Sequence, residues 1–96
     1  MDKYVKRENL RATDMEVKEI YGNGAYKVLE LTLAGGETMP RHFVTSDAFI
    51  VTEKGQAEVV FQDRSATLLP GETLHIPVRE VHSVTASEDF KAIVIF

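Results

Sequence analysis

Apolar and polar positions alternate with period two along much of this chain, the mark of strands with one buried face. Leu29, Leu31 and Leu33 alternate with Glu30 and Thr32, and Ala57, Val59 and Phe61 alternate with Glu58 and Gln62. The pattern predicts two antiparallel strands over residues 15–21 and 25–33 joined at Asn23-Gly24. That pair tolerates positive φ at both central positions and so favours a two-residue type I′ turn. Thr13-Asp14-Met15-Glu16 also fits a capping box that would start a helix through Tyr21. Such a helix would leave Asn23-Gly24 without a strand on its first side, so the strand is the preferred reading. Gly35-Gly36 then breaks the run, Pro40 marks entry to a further segment, and residues 48–52 form an apolar strand ended by Glu53-Lys54-Gly55. Asp63-Arg64 turns the chain into residues 65–69, Pro70-Gly71 turns it into 72–76, and Pro77 ends that strand. Residues 82–86 and 90–96 complete about nine short strands with no convincing helix. This is the make-up of an all-β sandwich or barrel of the jelly-roll kind, which closes or covers its sheet edges.

Composition narrows the chemistry. Ninety-six residues, 44% hydrophobic and 27% charged, suit one globular domain whose core suffices without staples. The absence of cysteine excludes disulfides, thiolate nucleophiles and Cys-ligated metals. Fifteen acidic against eleven basic residues give a net charge of −4, a field that repels phosphate backbones, so no nucleic-acid partner is expected. The longest strictly apolar run, residues 92–96, falls far short of the ~20 residues of a membrane span. The first eight residues are too polar for the apolar heart of a signal peptide, so a cytoplasmic protein without membrane association is expected.

His42, His75 and His82 are the side chains suited to bind a metal or move a proton near neutral pH. Gly36 is followed by five residues and His42, with Val44, Ala48 and Gly55 at further intervals of two, four and seven. Gly71 is followed by five residues and Pro77, then His82 and Ala86. This arrangement resembles the cupin superfamily, whose first motif is Gly, five residues, His-x-His, three or four residues, Glu, six residues, Gly. Its second is Gly, five residues, Pro-x-Gly, two residues, His, three residues, Asn. The resemblance covers most of the chain, with the first motif at about 36–55 and the second at about 71–86 of a single domain spanning 1–96. It implies a double-stranded β-helix, the cupin jelly-roll barrel.

Residue by residue, Gly36, His42, Gly55, Gly71, Pro77 and His82 keep the pattern, while Val44, Ala48, Arg79 and Ala86 stand where the family has His, Glu, Gly and Asn. Metal-bearing cupins hold Fe, Mn, Ni, Zn or similar ions with three His and one Glu, and the resemblance supplies His42 and His82 of those four. Asp47, Glu80 and His75 are the substitutes the sequence offers for the rest. His75 alternates with Leu74 and Ile76 and therefore belongs to the opposite face of its strand. The resemblance thus implies a barrel whose lumen carries His42, Val44, Ala48 and His82 as a small-molecule pocket with a degraded metal site. Such a lumen would suit a sugar, a phenolic or an organic acid. Met39 and Phe43 are candidates to wall its mouth, and Arg41 and Arg79 to receive an anion. The alternatives are a metal-dependent enzyme of dioxygenase or isomerase type built on His42 and His82, and a non-catalytic structural or sensor module.

No nucleophile elbow accompanies the serines, and the glycines form neither a GxGxxG nor a P-loop pattern. Two further expectations concern the whole chain. His42 and His82 should share one pocket although forty positions separate them, and the protein should pair as a homodimer, as small cupins often do.

Overall fold

A computed structural model describes residues 15–96. Nine strands follow in chain order: β1 (Glu16–Gly22), β2 (Lys27–Leu33), β3 (Thr38–His42), β4 (Ala48–Lys54), β5 (Ala57–Phe61), β6 (Ser65–Leu68), β7 (Thr73–Ile76), β8 (His82–Ala86) and β9 (Phe90–Ile95). They form a five-stranded sheet in the order β1-β2-β9-β4-β7 and a four-stranded sheet in the order β3-β8-β5-β6. Every pairing is antiparallel. None of the described residues is helical, so none forms a helix long and apolar enough to cross a membrane.

The period-two pattern decides which face each strand buries. Leu31 and Leu33 of β2, Ala48 and Ile50 of β4, and Phe90 and Ala92 of β9 face inward from the larger sheet. Ala57, Val59 and Phe61 of β5 meet them from the smaller sheet with Val84 and Ala86 of β8, and together they form one buried core. The residues between them are charged, polar or half-buried apart from the exposed Phe49 and Val60, so a one-residue slip of register would put the whole buried set in water.

Two bulges interrupt the alternation. On β3, Met39 pairs with Val84 and His42 with His82, so three steps along β3 match two along β8. The extra residue lies at Pro40-Arg41. Pro40 has no N–H to give to a ladder, and it therefore sits inside β3 at its irregularity rather than at the strand's entrance. On β1 the register shifts between Glu19 and Tyr21.

The first hairpin forms where the sequence predicts it, but with a different turn. Gly22 pairs with Lys27, leaving a four-residue loop. Within it the Asn23 Oδ1 accepts the N–H groups of Ala25 at 2.7 Å and Tyr26 at 2.9 Å, while the Asn23 N–H donates to the Tyr26 carbonyl at 3.0 Å. Neither Asn23 nor Gly24 has a positive φ, so the turn is an Asx turn and not type I′. The side-chain amide supplies the hydrogen bonds that a left-handed pair would otherwise organise.

Positive φ occurs among the described residues at Gly36, Gly55, Gly71 and Arg79. These are the four positions at which the two cupin motifs carry glycine, Arg79 standing in place of the last. At Gly55 the requirement is absolute, since a Cβ there would lie 1.8 Å from the Asp89 carbonyl oxygen. Arg79 adopts φ 64° with a full side chain, and its N–H donates to the Val44 carbonyl at 2.8 Å. That bond ties the segment before β8 to the segment after β3.

Candidate functional site

His42 and His82 are direct cross-strand partners on β3 and β8. Side chains so paired stand on one face with Cβ atoms about 4.5–5.5 Å apart, which brings two residues forty positions distant in sequence into contact. Their ring centroids are 4.4 Å apart with the planes inclined at 57°. The β3 bulge is what aims His42. With unbroken alternation Met39, Arg41 and Phe43 would share the inner face; the extra residue moves His42 and Val44 inward instead. Phe43 is consequently 51% exposed and Arg41 is also exposed, and neither is among the residues that line the cavity.

Both rings are oriented in the same way. His42 Nδ1 lies 2.8 Å from the Pro40 carbonyl oxygen, and His82 Nδ1 lies 2.9 Å from the Glu80 carbonyl oxygen. A carbonyl oxygen only accepts, so each Nδ1 carries the proton and donates it. In the neutral ring the lone pair is then on Nε2. His82 is 4% exposed, and burial holds its pKa below the ordinary value; the neighbouring His42 ring acts in the same direction, against the pull of the Glu80 carbonyl and carboxylate. The Phe61 ring packs beside it with centroids 5.9 Å apart.

The two imidazoles border a cavity of about 110 Å³ that opens to solvent on one side. Its wall comes from both sheets: Val44 and Val84 near the histidines, Ala48, Ile50 and Ile76 from β4 and β7, and Leu29, Val94 and Phe96 from β2 and the C-terminal end. His42, Val44, Ala48 and His82 therefore border one lumen, and Met39 joins them. Among the described residues no acid, lysine or arginine lines it. Arg41 and Arg79 both lie outside this lining.

The other titratable candidates are engaged elsewhere. His75 stands on the outer face of β7, where its Nε2 lies 3.2 Å from Asp47 Oδ1, and Asp47 also accepts the Val78 N–H at 3.1 Å. These two contacts hold the Asp47 carboxyl below its usual range. Glu80 receives Arg64 in a two-point ion pair at 2.7 and 2.9 Å, and that guanidinium holds its carboxyl low as well. The Arg64 guanidinium in turn lies 3.9 Å above the Phe61 ring. This brace was not visible in the sequence, because Arg64 is sixteen positions from Glu80 in a turn with no motif of its own.

The four-ligand set of metal-bearing cupins is incomplete in this chain. Val44 and Ala48 offer no lone pair, and among the described residues no group of three or more His, Asp or Glu side chains is arranged to hold an ion. Two imidazoles fall short of the three protein ligands of a catalytic zinc site and the four of a structural one. The described residues do not fit a resident divalent metal.

A scan against protein-family models and a search of curated proteins find no match. Solved structures do match. A cupin superfamily protein from Desulfitobacterium hafniense superposes with a TM-score of 0.82 at 20% identity, covering 90% of this chain and 79% of its own. An RmlC-like cupin protein from Desulfovibrio desulfuricans gives 0.78 at 24% identity over 95% and 94% of the two chains. KdgF from Halomonas sp. gives 0.81 at 18% identity over 99% and 86%. With two antiparallel sheets, left-handed backbone at all four motif positions and both motif histidines in one lumen, the chain has the fold of a small cupin.

Proposed function

We propose that this protein binds a small molecule in the lumen between its sheets and does so without a resident metal. The observation that carries the reading is the cavity itself: a concave apolar wall with two convergent polar groups, the usual form of a small-molecule site. The donor set supports the second half of the reading, since the family's other two ligand positions are filled by Val44 and Ala48.

Two measurements test it. Protein purified without chelator or nickel resin is expected to carry far less than one equivalent of transition metal, and dialysis against chelator is expected to leave its melting temperature unchanged. A small apolar probe such as toluene is expected to perturb the amide resonances of Ile50, Val84 and Val94, and Val44→Phe, at a half-buried lining position, to abolish that response. Stoichiometric iron, manganese, nickel or zinc that survives dialysis would instead favour the metal-dependent enzyme, with His42 and His82 among its ligands.

A further inference from the structure

The lumen's two polar groups have a fixed hydrogen-bonding sense. Each imidazole spends its Nδ1 proton on a backbone carbonyl two residues earlier, Pro40 for His42 and Glu80 for His82. With Nδ1 committed to a carbonyl, the ring atom each neutral imidazole has left for a ligand at the polar pole of the cavity is Nε2, a lone-pair acceptor. Around it the wall is aliphatic and aromatic, and no charged side chain of the described residues lines it.

From this we infer that the site selects uncharged molecules with an apolar body and a hydroxyl donor, of which a simple phenol is the type. An organic acid is disfavoured twice: a carboxylate needs donors, whereas the pole is acceptor-only, and its charge would enter an apolar lumen without a compensating cation. A sugar is disfavoured because most of its hydroxyls would face hydrocarbon and lose their hydrogen bonds. A purely apolar ring fits the wall but leaves the lone pairs on the histidines unmatched once water is displaced. The size is suitable for one ring: an enclosed apolar cavity of ~150 Å³ accommodates benzene, and this cavity of about 110 Å³ is open on one side.

The inference rests on the small-molecule reading of the lumen, and the experiment separates the two. Binding of phenol, toluene and benzoate to the full chain is measured at pH 8 by titration of amide resonances. Phenol is expected to bind at least tenfold more tightly than toluene, and benzoate not to saturate at concentrations where phenol does. His82→Leu is expected to bring the phenol-to-toluene ratio close to one while toluene binding persists. His42→Leu, at a less buried position, provides the same test if the first variant does not fold. Toluene binding as well as phenol in the parent protein, or benzoate binding better than phenol, overturns the acceptor-pole inference and leaves the pocket reading standing. If none of the three binds in the lumen, both fall.

Discussion

Arg79 keeps a left-handed backbone that side chains rarely adopt. For a residue with a Cβ that conformation costs about 1–2 kcal/mol, against which glycine loses part of its advantage through its freer unfolded chain. Arg79 does not line the lumen, and its backbone N–H, which any residue but proline supplies, makes the bond to Val44. Arg79→Gly is therefore expected to stabilise the protein by up to about 1 kcal/mol in denaturant melts. Loss of stability would show that the arginine side chain contributes more than its backbone strain. Gly55→Ala is expected to act oppositely and more strongly, by more than about 2 kcal/mol, since it adds the left-handed penalty to a Cβ that collides with Asp89. His82 is the residue through which pH should be felt. Its folded pKa lies below the ordinary 6.5, so the unfolded chain binds the proton more readily. That contribution to stability is complete above about pH 6.5 and is lost as the pH falls from there toward the lower folded value. Asp47 and Glu80, both held below the carboxylate range, lose their contributions only in a more acidic window. The melting temperature should accordingly fall between pH 7.5 and 5.5, and His82→Gln should flatten that fall; an unchanged slope in the variant would assign it to another group.

At the scale of elements, β9 is the strand on which the larger sheet depends. It lies between β2 and β4 and pairs with both along most of its length. Phe90, Ala92, Val94 and Phe96 belong to the inner face, where Phe90 and Ala92 are buried and Val94 and Phe96 pack against the core. Ile93 and Ile95 belong to the outer face and are half-buried, so the unbroken apolar run of the sequence reflects a strand central in its sheet and only partly covered on its second side. Deleting residues 93–96 removes four large side chains worth about 1.5–3 kcal/mol each when fully buried and unpairs two neighbouring strands. With total stability of about 5–15 kcal/mol, the truncated chain is expected not to fold. A cooperative melt near the parent temperature would refute this.

For the whole molecule, the outer face of the larger sheet matters. Val28 and Phe49 flank Ile95 in register, and Val51 lies beside Ile93, which gathers five apolar side chains on that face. Phe49 is 42% exposed. Such a face loses free energy in water, and a two-fold pair of identical faces is the commonest way to cover one. Light scattering at micromolar concentration is expected to give twice the 10.8 kDa chain mass, and Phe49→Glu to return it to one. A parent mass of a single chain would count against the pairing.

The sequence by itself determined the class of structure and the positions of its special backbone. Period-two alternation names the inner residues of β2 and β5, because burial of one face requires it, and the spacing of Gly36, Gly55, Gly71 and Pro77 identifies the fold. Those features are local: a left-handed φ or a half-buried strand is written in neighbouring residues. What only the tertiary structure decided is non-local. Whether Arg41 or His42 looks inward depends on a bulge that exists only relative to β8. The proton on each Nδ1 is fixed by carbonyls whose direction comes from the strand ends. The Arg64–Glu80 brace joins two turns that chain order leaves apart. Even the Asn23-Gly24 turn, correctly placed by composition, took its type from the length of loop that the β1–β2 register left to close. Residue types set which pairings are permitted, whereas the packing of two sheets against each other selects among them, and the character of the lumen follows from that selection.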